Sequence, residues 1–126
     1  MLSPASQQVL THFHSELRQF AAQVTQPNPD AQTLQIHFLR LQQDFQQQIL
    51  PLADRHLTAA AQTQLQAYQT EMNRLMRLLA VDISFLQAAR QSAKQQQRQA
   101  QIQQRLMSLN QFCEALLAGR SIREGG

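Results

Sequence analysis

The chain has 126 residues, 43% apolar and 15% charged, with a formal net charge of +3. That length predicts one domain around a single buried core, since one core suits roughly 100–200 residues. Its only glycines are Gly119, Gly125 and Gly126, which excludes an internal glycine-rich phosphate loop and the dinucleotide-binding fingerprint. Glutamine supplies 26 residues. Gln is a good helix former, so this bias is compatible with an ordered helical fold.

Ser3-Pro4 predicts a helix start, with a serine cap and proline in the first turn. Leu10, Phe13, Leu17, Phe20 and Val24 then recur at alternating steps of three and four, one apolar stripe on one helix. Gln26-Pro27-Asn28-Pro29 ends it, because proline biases its predecessor away from helix. A second helix is expected to restart with Asn28 as cap, Pro29 in the first turn and Asp30 at the positive end of the dipole. Its stripe is Leu34, Phe38, Leu41, Phe45, Ile49 and Leu52, with a flanking row at Ile36 and Leu39. Pro51 ends or kinks it near Leu50. The short 26–29 link makes the first two helices antiparallel neighbours.

No Gly or Pro occurs from Leu52 to Ala118. A long central helix, about 55–91, is expected there, striped by Leu57, Ala61, Leu65, Tyr68, Met72, Leu75, Leu79, Ile83 and Leu86. Between Leu75 and Leu86 the apolar residues cover nearly the whole circumference, and a helix apolar all round is buried all round. The segment around Val81 is therefore expected to be enclosed, by other helices of the chain or by a second copy. The last stripe is Ile102, Leu106, Leu109, Cys113 and Leu116. From Leu86 to Ile102 a straight helix would rotate by about 160°, placing the two stripes on opposite sides. A turn between about 90 and 101, with Ser92 as candidate, lets both face one core. The competing arrangement is an unbroken rod of roughly 60 residues, about 90 Å long. Gly119 is expected to cap the last helix. The expected fold is all-α: an antiparallel bundle of about four helices over residues 1–118, with 119–126 a tail.

Met1-Leu2-Ser3-Pro4 carries no signal-peptide pattern. The Leu75–Leu86 stretch is interrupted by Arg77 and Asp82 and falls short of the ~20 apolar residues of a membrane span. A lone Cys113 permits no internal disulfide and fits a reducing cytoplasm. Placed on the last apolar stripe, it reads as a small core residue.

The charges divide unevenly. Residues 74–105 carry Arg74, Arg77, Arg90, Lys94, Arg98 and Arg105 against Asp82 alone. Such a surface attracts an acidic partner with a salt-sensitive rate. Arg90, Lys94, Arg98 and Arg105 share one face if the helix persists, and they form the candidate partner-binding surface. Asp82 interrupts the most apolar stretch, so as a buried carboxylate it requires pairing. Arg40 or Arg105 is the expected partner, in a structural ion pair that orients the bundle more than it stabilises it. His12 and Glu16 have the i,i+4 spacing that metal ligands use, but two ligands make no site and surface side chains are the simpler reading. His37 and His56 stand isolated. No convergent acid, base, nucleophile or metal set is present, which points away from an enzyme and from cofactor chemistry. A nucleic-acid-binding or other scaffold role for the basic 90–105 face is the alternative. One Tyr and no Trp give base stacking little support.

One set of segments is specific as a group. Gln43-Asp44-Phe45-Gln46-Gln47-Gln48-Ile49-Leu50 is followed by Gln66-Ala67-Tyr68-Gln69-Thr70-Glu71-Met72. Arg77-Leu78-Leu79, Asp82 and Phe85-Leu86-Gln87-Ala88-Ala89-Arg90-Gln91 come next, then Arg105-Leu106 and Phe112-Cys113. Over about 75 residues (43–117) this resembles the PatD family of cyanobacterial heterocyst frequency control proteins. Ala67 stands where the family's pattern has serine, and Phe112 where it has tyrosine. The resemblance implies a non-catalytic cytoplasmic regulator without cofactor or small-molecule substrate. It would act at the division site by binding the tubulin-like protein FtsZ, favour filament assembly or bundling, and limit heterocyst commitment in filamentous species. A homodimer would bundle filaments by presenting two equivalent sites. The resemblance carries over no contact residues.

Overall fold

The computed structural model describes residues 2–27 and 29–119. Four helices account for most of them: α1 (Pro4–Val24), α2 (Ala31–Asp44), α3 (Ala59–Ala88) and α4 (Ser92–Ala118). The chain is an all-α antiparallel bundle. α1 packs on α2 and α4, and α3 packs on α2 and α4, so α1 and α3 occupy opposite corners. No helix among the described residues is long and apolar enough to cross a membrane.

The stripes converge on one core. Leu10, Phe13, Leu17, Phe20 and Val24 of α1 are all buried, as are Leu34, Phe38 and Leu41 of α2, and Ile102, Leu106, Leu109 and Cys113 of α4. Phe13 meets Phe45 at 5.8 Å between ring centroids and Phe20 meets Phe38 at 6.1 Å, an antiparallel register for α1 and α2. Each such side chain contributes about 1.5–3 kcal/mol through burial. Ser3 caps α1, its Oγ accepting from the Ser6 N–H at 3.2 Å, and Gly119 adopts a left-handed φ of 69° past α4, both as the sequence predicts.

α2 begins later than expected. Asp30 is its cap and Ala31 its first residue; the expected capping role of Asn28 lies outside the described residues. At its far end α2 widens into a π-helical turn, Phe45–Ile49, closed by Leu50 N–H donating to Phe45 O at 2.8 Å. Pro51 follows immediately; it lacks an N–H and its ring excludes a further α turn. The helix thus ends near Leu50, and Leu52 lies in the loop.

The central helix is shorter than 55–91. Thr58 caps it, accepting from the Ala61 N–H at 3.2 Å, while Asp54 holds the preceding loop. Its carboxylate accepts Ser3 N–H at 2.6 Å and His56 N–H at 2.9 Å, pinning the start of α1 to the α2–α3 connection. At the other end α3 stops at Ala88. Ala89 and Gln91 take extended ψ angles of 123° and 136°, open to any residue, so the chain reverses without glycine or proline. The break exists, but over 89–91, and Ser92 is the first residue of α4 rather than the turn.

The glutamines close the connections. Gln69, buried on α3, donates to the carbonyls of Ile49 and Leu52, both at 2.9 Å. Gln62 donates to Asp54 O, Gln95 to Ala89 O at 2.9 Å, and Gln99 to Val24 O at 3.1 Å. Helix C-termini leave carbonyls without intrahelical partners. Gln amides add a side-chain donor at all three connections, beside the backbone N–H groups of Leu52 and Leu57 that also reach the Ile49 and Asp54 carbonyls.

The enclosure expected around Val81 fails. Leu75, Met76, Leu79, Ile83 and Leu86 are buried, but Val81 is 49% and Phe85 50% exposed. In a four-cornered bundle α3 touches two neighbours, α2 and α4, and so keeps one face to solvent whatever its composition.

Candidate protein-interaction face on α3 and α4

The face begins with the buried carboxylate. Asp82 sits on α3 between the core residues Leu79 and Ile83, with a side chain only 3% exposed. Arg105 of α4 donates its Nε–H to Asp82 Oδ2 at 2.5 Å, and Arg98 Nη1 lies 3.7 Å from Oδ1. Of the two partners expected from sequence, Arg105 is the one present. Arg98 adds a second link, with its guanidinium over the Phe85 ring, 4.4 Å from the centroid. A cation placed so is held by the ring's negative face.

This pairing divides the expected basic surface. Arg105 and Arg98 have side chains 20% and 34% exposed and are engaged with Asp82, so they are not a free docking pair. Arg74 is engaged with Glu71 one turn away. The pair holds the Glu71 carboxyl below its usual range, chiefly through the Arg74 hydrogen bond. Arg90 and Lys94 are exposed, as is Arg77, and among the described residues none of these three has an ion pair. The unpaired cations therefore flank the Val81–Phe85 patch. Sequence spacing missed this division because it treats all cations on a face as equivalent. The signal that existed was Asp82 alone among six cations.

Other candidates resolve differently. His12 Nε2 lies 3.9 Å from Glu16 and 3.5 Å from Asp44. His37, isolated in sequence, is not isolated in space. Its Nδ1 is 2.7 Å from Gln23 Oε1, its Nε2 3.4 Å from Glu16, and its ring meets Phe20 edge-on at 5.3 Å. No group of three or more His, Cys, Asp or Glu among the described residues is arranged to hold a metal ion. A cleft of about 340 Å³ opens where the α1–α2 and α3–α4 connections meet, lined by Pro27, Leu34, Ile83, Leu86 and Gln99 among others, with no acid or base among the described residues of its wall. Cys113 is fully buried, and burial, aided by Glu114, pushes its thiol up to about 12, the signature of an inert core cysteine.

Comparison with family models, with curated proteins and with solved structures gives no match.

Proposed function

We propose that this protein is a non-catalytic regulator of cell division that binds FtsZ, modulates its filament assembly at the division site, and limits heterocyst commitment where the host is filamentous. One observation carries the reading. The separated segments on which the PatD resemblance rests meet in the fold, in three places. Gln69 bonds the carbonyl of Ile49 in the Phe45–Ile49 turn. Asp82 pairs with Arg105. Tyr68 meets Phe112 edge-on at 5.1 Å. Segments that depend on one another in space form a single unit, which is a better basis for a resemblance than scattered matches in a Gln-rich chain.

Purified FtsZ pelleted with GTP tests it. The pelleted fraction should rise with added protein at stoichiometric amounts, with bundles visible by electron microscopy. No rise over a range of salt would sink the proposal. A homodimer would present two equivalent sites and bridge filaments directly, and it would appear as a doubled mass in light scattering. Nucleic acid is a weaker reading. The exposed Phe85 is already covered on one ring face by Arg98, which removes a stacking surface that single strands use.

A further inference from the structure

We infer that the outer face of α3 around Val81 and Phe85 is the docking surface for an acidic, amphipathic helix of a partner protein. This rests on the protein-binding role proposed above and names the kind of element that would be bound.

Arg77, Val81, Phe85 and Ala88 follow one another at helical spacing and share one face of α3. Val81 and Phe85 are half-exposed on a rigid helix whose opposite face is locked into the core. Phe85 is further fixed by Arg98, itself tethered to Asp82. An aromatic anchor held in place before binding loses little side-chain freedom on association, and such anchors dominate binding energy.

Charge selects the occupant. The unpaired Arg77 lies one turn before the apolar pair, and the unpaired Arg90 and Lys94 lie beyond it at the α3–α4 connection. The acids nearest in sequence, Glu71 and Asp82, are already engaged. An acidic partner thus meets free cations at both ends and apolar side chains between. From Arg77 to Ala88 the face runs about 16 Å, or three helical turns. A helix with apolar residues at i and i+3 or i+4 and acids flanking them matches that pattern, read as anchors at helical spacing. The other half-exposed apolar pair, Ile36 and Leu39 on α2, has only Arg40 beside it in sequence and provides an internal control. A membrane surface is less well matched, since two apolar side chains make a far narrower face than an interfacial helix buries.

The probe is a synthetic 18-residue peptide with Leu at i, i+3 and i+4 positions, Glu beside them and Ala and Gln elsewhere to favour helix, compared with a scrambled peptide of the same composition. Binding is followed by anisotropy and by amide chemical shifts. The ordered peptide is expected to bind at low salt and weaken at least fivefold at 300 mM salt, with shifts centred on Val81 and Phe85. Val81→Ala/Phe85→Ala and Arg77→Glu/Lys94→Glu should each weaken it at least tenfold. Ile36→Ala/Leu39→Ala should change it less than twofold. Thermal melts within a few degrees of wild type show that the variants are folded. Equal binding of the scrambled peptide, an equal loss in the α2 variant, no binding, or preference for anionic vesicles or duplex DNA would each overturn the inference. FtsZ pelleting with the same variants separates the two claims. If Val81→Ala/Phe85→Ala still pellets FtsZ normally, the surface is wrong and the division role stands. If the peptide binds as described and FtsZ does not, the surface stands and the division role is wrong.

Discussion

Asp82 of α3 and Arg105 of α4 are joined by a 2.5 Å hydrogen bond from Nε to Oδ2, at a point where Leu79 and Ile83 of α3 face the core. The pair fixes the register of the two helices. It also governs the surface, because the second cation it engages, Arg98, covers Phe85. Core, register and candidate interface meet at this carboxylate.

Removing the Asp82 charge should therefore be costly. Asp82→Asn leaves Arg105 without its counterion, and breaking a buried pair costs about 3–5 kcal/mol, reduced here to roughly 2 kcal/mol by the partial exposure of both arginines. Urea denaturation should show this as a lower midpoint with an unchanged slope. Asp82→Leu/Arg105→Leu should recover most of the loss, since an apolar pair replaces a buried ionic one at little cost. A single Asn variant as stable as wild type would remove the structural role of the pair.

Gln69 is a second test. Its amide serves two carbonyls at once, those of Ile49 and Leu52. Gln69→Ala should cost about 1–2 kcal/mol, because the part-buried Leu52 carbonyl loses its Gln69 donor and the Ile49 carbonyl keeps only the Leu52 N–H. Gln69→Glu should be worse at neutral pH, since a carboxylate offers only acceptors to two carbonyl oxygens. If Gln69→Glu unfolds at the same denaturant concentration as wild type, the amide is not what secures the π-helical turn.

Acid stability should report on Asp54. The Ser3 and His56 backbone N–H groups hold its carboxyl down, from an ordinary value near 4 to about 2. A group with a depressed folded pKa contributes stability that is fully present above its unfolded value and lost as pH falls through the folded one. Tm should thus fall between about pH 4 and pH 2. In Asp54→Asn that acid-dependent fall should be shallower, starting from a lower Tm at pH 7. Parallel Tm–pH curves for the two proteins would show that Asp54 is not the group responsible.

The periodic apolar residues of α1, α2 and α4 were legible without coordinates. A stripe at steps of three and four buries one helix face in any arrangement of helices, and Ser3, Pro51 and Gly119 mark ends through local backbone chemistry. The need for a turn before Ile102 was legible too, from helical phase alone. Its position at 89–91 was not, because Ala89 and Gln91 carry no turn signal and the Ala89 carbonyl is held by a side-chain amide, that of Gln95 in the first turn of α4.

What the sequence determined by itself was which residues form helices and which face of most helices turns inward, since both follow from backbone sterics and periodicity along one chain. Tertiary structure decided the rest. It exposed Val81 and Phe85, because a helix at one corner of a four-helix bundle has only two neighbours to cover it. It engaged Arg98 and Arg105 and left Arg77, Arg90 and Lys94 unpaired, because which cation meets Asp82 depends on the register of α4 against α3, and no spacing within a single helix contains that distance.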